Sequence, residues 1–383
     1  MAQRMASLSL ERKNFEEFIN ALPLLSPREI YERLEELGYR GQERGRQSIS
    51  LMAYRHIKRL KAIYADGVKR EKLPAKTNYL LMGPTGCGKT FLVELLFQKI
   101  LQIPTVIIDI TSFTESGYVG DDARTILTRL LIAAGGDPRI AACGVVCLDE
   151  FDKIATAKSN ARFAGEGTTK DVSGLGVQRE LLKMLEGSDV AVPLDFGYSS
   201  LGERIVLPTA DIPFLACGAF SGFKYTAQSK GGEEEIGFRR VPKRKSPEKV
   251  AYSLEEGEVN DVETFQVYGF LPELIARFTR IIPFEPLSHD TLKEILQDNV
   301  INRYTKEFEN EGLELRVSTT VIDYLISQAI KKQTGARGLN SLLTAYLEEA
   351  AYRAFATGGG KVRIDLRKGK VVSRVVATFR ART

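Results

Sequence analysis

Short apolar runs alternate with amphipathic stretches through the middle of the chain. Five of these runs have the length of buried strands, and they lie at residues 79–82, 105–110, 145–148, 212–217 and 281–284. Helical periodicity fills residues 90–100, 122–134 and 176–187. Strands that alternate with helices form parallel sheets with helices on both faces. The pattern therefore predicts an α/β fold in which a parallel sheet is covered by helices.

The remainder of the chain divides around this region. Residues 1–25 are expected to form a short, mobile leader, and a capping box at Ser26 and Glu29 predicts the start of a helix. The large domain then covers residues 26–285, interrupted at residues 222–268 by what we expect to be a long exposed loop. Residues 286–383 are mostly helical and end in a predicted pair of strands. The sequence thus predicts a second, smaller C-terminal domain.

A glycine-rich turn follows the first strand and precedes the first helix of the alternating region. Backbone N–H groups and the positive end of a new helix can surround an anion in this context, as in phosphate-binding loops. Lys89 would reach the β- and γ-phosphates of ATP, and Thr90 would ligate Mg²⁺. The alternative is a plain glycine turn. The predicted nucleotide-binding residues of the turn are Gly83, Pro84, Thr85, Gly86, Cys87, Gly88, Lys89 and Thr90.

Composition excludes some classes of protein without choosing a function. The chain has 383 residues, of which 43% are hydrophobic and 27% are charged, an ordinary mixture for a soluble globular protein. The net charge of +5 does not by itself argue for nucleic acid. The four cysteines form no CxxC pair, and no apolar run approaches the length of a membrane span. We therefore expect a cytoplasmic protein without a membrane partner.

A second chemical motif ends the third predicted strand. The apolar run at residues 145–148 is followed by Asp149 and Glu150. Asp149 would hold the Mg²⁺ shell, and Glu150 would polarise the water that attacks the γ-phosphate. A solvated acidic turn is the alternative, but the motif follows a phosphate-binding loop by two strand–helix units. The sequence therefore predicts hydrolysis of ATP as well as binding.

Several motifs together resemble the Clp/HslU family of AAA+ ATPases, in particular its ClpX-like members. The resemblance covers residues 26–365, and the glycine-rich turn and acidic strand end are similar to the Walker A and Walker B regions. Residues 117–122 resemble the pore loop that grips substrate, and residues 170–178 resemble the second pore loop. Residues 269–277 are similar to the arginine-finger segment, and residues 334–339 to the sensor-2 motif.

The resemblance implies an ATP-dependent protein unfoldase that forms a ring, expected to be a homohexamer. Arg277 would complete the site of a neighbouring subunit, and Arg337 would contact nucleotide and couple its state to domain rotation. Tyr118 and Val119 would grip polypeptide substrates in a central channel. Each position has a simpler explanation by itself. Arg277 could pair with Glu273, Arg337 could be a solvated charge, and Tyr118 could fold over its own turn.

The exposed loop carries one more feature of the family. Ile236, Gly237 and Phe238 equal the tripeptide with which ClpX-like members dock on the peptidase ClpP. The resemblance therefore implies a ClpP-like peptidase as partner, with this chain as its regulatory ATPase and not itself a peptidase. The alternative is a flexible loop with two isolated apolar residues.

Four features depart from the family's pattern. The sequence shows no paired CxxC motifs, so we expect the family's N-terminal zinc-binding domain to be missing, and residues 198–200 occupy the position of a basic loop that receives degradation tags. Residues 39–42, near the expected adenine site, differ from the usual sequence. Cys87 stands where the family has a serine. Because a thiol at a helix N-terminus tends toward the thiolate, we expect oxidation of Cys87 to block nucleotide binding.

Two other functions are compatible with parts of the sequence, and a third conflicts with it. A remodeller of protein complexes would need no peptidase and no docking tripeptide. A nucleic-acid motor would find support only in the basic residues 55–61 and 239–245, and such runs are usually solvated. An inactive ATP-binding scaffold conflicts with the presence of Lys89, Asp149, Glu150, Arg277 and Arg337 together.

Overall fold

A five-stranded parallel sheet forms the centre of the large domain. The structure is a computed structural model and describes residues 13–114, 121–122, 124–156, 172–193, 204–223, 261–355 and 359–377. Its strands are β1 (Tyr79–Met82), β2 (Thr105–Asp109), β5 (Val145–Asp149), β8 (Phe214–Gly218) and β9 (Arg280–Pro283). The strand order is β2-β5-β8-β1-β9, with all neighbours parallel. The five predicted strands and the α/β class are confirmed.

Helices cover both faces of the sheet, and two small strand pairs lie beside it. The pairs are β3 (Phe113–Thr114) with β4 (Asp121–Asp122), and β6 (Asp189–Pro193) with β7 (Arg204–Pro208). The helices of this part are α1 (13–21), α2 (Pro27–Glu36), α3 (Glu43–Tyr64), α4 (Lys89–Val93), which continues as a π-helix (Glu94–Ile100), α5 (Thr125–Ala133), α6 (Pro138–Ala141), α7 (Val172–Glu186), α8 (Val262–Tyr268) and α9 (Pro272–Ile275).

Alternate residues of each strand enter separate hydrophobic cores. In β1, Leu80 and Met82 pack in one core, while Tyr79 and Leu81 pack in the other. The same alternation holds in β5 and β8. Successive side chains of a strand point to opposite faces, so a strand that is apolar throughout must be covered twice. This explains why the strands are continuous apolar runs.

The C-terminal region has its own core. It consists of α10 (His289–Ile295), which continues as a π-helix (Leu296–Ile301), then α11 (Asn302–Asn310), β10 (Leu313–Val317), α12 (Thr319–Lys332), α13 (Gly335–Ala354), β11 (Gly360–Arg367) and β12 (Lys370–Ala377). The last two strands were predicted. Strand β10, which pairs parallel with β11, was not. We call this region the small domain.

The expected leader is wrong for its described part. Helix α1 and the residue that follows it bury Phe15, Ile19 and Leu22 in the core that also contains residues of α2 and α3. Lys61 of α3 donates hydrogen bonds from Nζ to the carbonyls of Ile19 (3.0 Å) and Asn20 (3.2 Å). The spacing of the three apolar residues is that of one helical face, and it was the signal that the sequence analysis missed.

The end of the expected exposed loop is also folded. Helix α8 belongs to residues 222–268, yet Phe265 is fully buried. Phe265 lies in an aromatic cluster with Phe220, Phe223, Tyr268 and Phe270, and its ring centroid is 4.6 Å from that of Phe223. The expectation of an exposed loop is therefore wrong for residues 261–268, because aromatic residues of this segment complete the core beside α9.

The basic helix α3 is used inside the protein. Arg59 donates to buried Asp211 from Nη2 at 3.0 Å, and Lys61 holds the end of α1 as described. His56 is also buried. These contacts use two of the charges that would have supported a nucleic-acid surface at residues 55–61, while Arg55 and Lys58 stay exposed. Residues 239–245 lie outside the described part. No helix in the described ranges is both long and apolar enough to span a membrane.

Candidate functional site

The carboxyl ends of β1 and β5 bring the two predicted motifs together. Strand β1 leads into residues 83–88 and then α4, while β5 ends at Asp149. Because carboxyl ends of parallel strands meet at one edge of the sheet, the two motifs become neighbours. The Thr90 hydroxyl donates to Asp149 Oδ2 at 2.8 Å. The side-chain oxygens of two residues that are 59 positions apart in sequence thus lie next to each other.

Lys89 lies inside the curve of the glycine-rich loop. Its side chain is buried, and Nζ donates to the carbonyls of Gly83 (2.6 Å) and Pro84 (3.0 Å). The loop backbone makes this possible because Gly86 and Gly88 have φ of +79° and +97°, which favour glycine. The ammonium group is therefore held among the backbone groups that would surround a phosphate.

Glu150 has an unusual backbone conformation. Its φ of 55° and ψ of 31° lie in the left-handed region, which is uncommon for a residue other than glycine. Its N–H donates to Asp149 Oδ1 at 2.9 Å, and both residues line the same cleft as Lys89. Strain of this kind concentrates at functional sites. The left-handed conformation of Glu150 turns the chain sharply after β5, so that both acidic residues face the cleft.

The environment of Cys87 contradicts the expected thiolate. The residue is 2% exposed, and burial raises the pKa of its thiol above the ordinary value. Lys89, with Nζ at 3.7 Å from the sulfur, offsets part of this shift. The helix N-terminus therefore does not make Cys87 acidic, because loss of hydration outweighs the nearby positive charge.

The small domain supplies the opposite wall of the cleft. The cleft has a volume of about 470 Å³, and its lining includes Lys89, Asp149 and Arg337. The start of α13 contacts the glycine-rich loop directly, since the N–H of Ala336 donates to the carbonyl of Gly86 at 3.2 Å. Residues 85–90, Asp149 and Glu150 of the large domain thus face one space with Arg337 of the small domain, whereas Gly83 and Pro84 are not among the described residues that line it.

Several residues of the cleft were missed by sequence reasoning. Asn299 and Arg303 are four residues apart on one helical face of the small domain, and Asn340 is three residues after Arg337. This spacing of polar residues is the signal that could have identified them. Tyr39, which the sequence analysis marked as a departure, also lines the cleft, and its hydroxyl donates to the carbonyl of Gly88 at 3.2 Å.

Arg277 lies apart from this cleft. It is not among the described residues that line the cleft, and its side chain is half-exposed. Its Nη2 donates to Glu186 Oε1 at 2.6 Å, so the pairing with Glu273 considered from the sequence is replaced by one with the end of α7. A surface position of this kind is what a contact with a neighbouring subunit requires.

Five candidate residues fall outside the described part of the chain. They are Tyr118 and Val119 of the expected pore loop and Ile236, Gly237 and Phe238 of the expected docking tripeptide. Their roles remain predictions from the sequence.

Comparison with known proteins identifies the family. The AAA domain (Cdc48 subfamily) matches residues 75–281, and the C-terminal, D2-small domain of ClpB protein matches residues 287–364. The ATP-dependent Clp protease ATP-binding subunit ClpX of Azotobacter vinelandii is 35% identical over 360 residues, covering 91% of this chain and 78% of that protein. The same subunit of Treponema denticola is 33% identical over 347 residues, covering 90% and 80%.

A third relative, ClpX 3 of Methylococcus capsulatus, is 36% identical over 325 residues, covering 82% of this chain and 73% of that protein. These matches span both domains of the structure, and they agree with the family resemblance drawn from the motifs. The chain belongs to the AAA+ ATPases and, within them, to the ClpX family.

Proposed function

We propose that this chain is an ATP-driven protein unfoldase and translocase that works as a ring and serves as the regulatory ATPase of a ClpP-type protease. The observation that carries the ATPase part is the meeting of Lys89, Thr90 and Asp149 at the mouth of a cleft between two domains. The printed names of the relatives, ATP-binding subunits of an ATP-dependent Clp protease, support the protease part.

The site residues have separate roles in this proposal. Lys89 neutralises phosphate charge, and the loop around it supplies backbone donors. Glu150 orients the attacking water and accepts its proton. Arg337 contacts the nucleotide from the small domain. Arg277 reaches the γ-phosphate bound by a neighbouring subunit, so hydrolysis requires assembly, which we propose is a homohexamer.

The donor set also suits Mg²⁺, a hard cation that prefers oxygen ligands. Thr90 Oγ1 and Asp149 Oδ2 are 2.8 Å apart and would hold the ion, directly or through water. Bound there, Mg²⁺ would neutralise charge on the β- and γ-phosphates. No group of three or more His, Cys, Asp or Glu side chains suited to a metal occurs in the described ranges, which agrees with an ion held mainly by the nucleotide.

Two parts of the proposal rest on the sequence alone. Tyr118 and Val119 would grip the polypeptide, and six copies of residues 236–238 would bind a ClpP-like peptidase by combined weak contacts. A remodeller that acts without a peptidase is the second candidate, and it differs only in lacking a need for residues 236–238. A nucleic-acid motor loses part of the support of α3, because Arg59 and Lys61 make internal contacts while Arg55 and Lys58 stay exposed.

The decisive experiment follows the fluorescence of a tagged, stably folded reporter with ATP, with and without a ClpP-type peptidase. We expect wild type to unfold the reporter and Glu150→Gln to bind ATP without unfolding it. Tyr118→Ala should hydrolyse ATP but fail to unfold, and deletion of residues 236–238 should stop degradation alone. If wild type hydrolyses ATP yet processes no tagged or unfolded protein, the unfoldase proposal is wrong.

A further inference from the structure

One loop contacts both walls of the cleft. Residues 38–42, which we call the bridging loop, connect α2 to α3. On one side, the Tyr39 hydroxyl donates to the carbonyl of Gly88 at 3.2 Å, and Gln42 Nε2 donates to that of Cys87 at 3.4 Å. On the other side, Asn299 Nδ2 of the small domain donates to the carbonyl of Gly38 at 3.1 Å. The loop therefore links the phosphate-binding loop to the small domain.

An ion pair also joins the bridging loop to the small domain. Arg40 donates to Asp298 Oδ2 from Nη2 at 2.7 Å and from Nε at 3.1 Å. Its Nη1 donates to the carbonyl of Glu35 and to that of Tyr39. The side chain of Arg40 is only 21% exposed. The end of α2 thus fixes the position of the guanidinium group, so the ion pair forms only when the small domain places Asp298 beside it.

The small-domain side of this pair is part of the cleft. Asp298 and Asn299 lie in the π-helix Leu296–Ile301, and π-helical turns occur often at functional sites. Asn299 lines the cleft, as do Gly38 and Arg40. A Cβ on Gly38, whose φ is +84°, would lie 2.3 Å from Asn299 Oδ1. The two walls are therefore in close contact at this point, and any change in the angle between the domains must alter it.

We propose that Arg40 and Asp298 form a latch between the domains, and that the affinity for ATP depends on it. The inference rests on the proposed nucleotide binding in the cleft. A nucleotide that contacts both walls binds tightly only when the walls are held together. Its apparent Kd therefore rises as the fraction of molecules with the two walls in contact falls. Arg40 is thus a positioning residue, which acts through the geometry of the cleft and not by contact with the reacting atoms.

A double-mutant cycle on the full chain tests the latch. We expect Asp298→Asn to raise the Kd for a fluorescent ATP analogue about fivefold, a typical upper value for a half-exposed pair, while kcat at saturating ATP changes little. Because Arg40 also holds Glu35, Arg40→Gln alone could disturb α2. The double variant corrects for this, since the pair's contribution is the non-additive part. The charge exchange Arg40→Asp with Asp298→Arg should recover part of the lost affinity.

The matched control is Arg28→Gln, which breaks an exposed ion pair with Glu32 on α2 and should leave the Kd unchanged. The loss of affinity in Asp298→Asn should also shrink at high salt, because salt weakens the wild-type pair. If wild type binds ATP and the Asp298 variant has the same Kd, the latch is wrong and the proposed function stands. If wild type binds no nucleotide, both fail.

Discussion

Burial of His56 makes the stability of the large domain depend on pH. His56 is 6% exposed in α3, and its Nε2 donates to the carbonyl of Cys143 at 3.0 Å. Burial lowers the pKa of His56 from 6.5 to about 4, although the hydrogen bond to Cys143 and the charge of Asp211 act in the opposite direction. Arg59 lowers the pKa further. The imidazole is therefore neutral in the folded protein at pH 7.

The sign and size of the effect follow from linkage. The unfolded chain binds a proton at this position near its usual pKa, while the folded chain binds one only near pH 4. The unfolded state thus holds more protons between these values, so stability falls as the pH falls through this window. Between pH 7 and pH 5 the free energy of unfolding should decrease by on the order of 2 kcal/mol from His56 alone.

The assay compares wild type with His56→Gln, which keeps a hydrogen-bond donor and cannot titrate. Urea unfolding is followed by circular dichroism at both pH values, because the chain contains no tryptophan. Between pH 7 and pH 5, the free energy of unfolding should fall by about 2 kcal/mol less in the variant than in wild type. The chain has two histidines, so one imidazole resonance should titrate well below pH 6 and disappear in the variant. Equal losses in both proteins would refute the reasoning.

Two further predictions concern the cleft and the ring. Gly86→Ala should lower the free energy of unfolding by about 1–2 kcal/mol through backbone strain alone. The total loss should exceed this, because the added Cβ would lie 2.6 Å from a small-domain carbonyl. Gly135→Ala, also at positive φ but with no atom within 4 Å, is the control, and an equal loss in both would refute the contact. Arg277→Ala should lower ATP hydrolysis about a thousandfold. The Lys89→Ala variant should also be inactive alone. Mixing the two variants should restore part of the ATP hydrolysis, because a subunit with Lys89 can then lie beside one with Arg277, and no recovery would argue against a role between subunits.

Local sequence pattern was sufficient for most of the large domain. Strands β1 and β8 are apolar throughout, and β5 is apolar up to Asp149, because both faces of the sheet are covered. The capping box formed as expected, with the Ser26 N–H donating to Glu29 Oε2 at 2.7 Å. The glycine-rich turn needs positive φ at Gly86 and Gly88, and glycine adopts this conformation readily because it has no side chain. Where the prediction failed, in α1 and α8, residues such as Phe15 and Phe265 became buried through contacts with distant elements.

The sequence by itself determined the α/β class, the phosphate-binding loop and the acidic pair, because each depends on residues that are close together in the chain. Only the tertiary structure decided which distant residues share the cleft. The Thr90–Asp149 contact and the Arg40–Asp298 pair join positions 59 and 258 residues apart, and strand order and domain packing set them. The raised pKa of Cys87 has the same origin, since burial is a property of the folded protein and outweighed the local effect of a helix N-terminus.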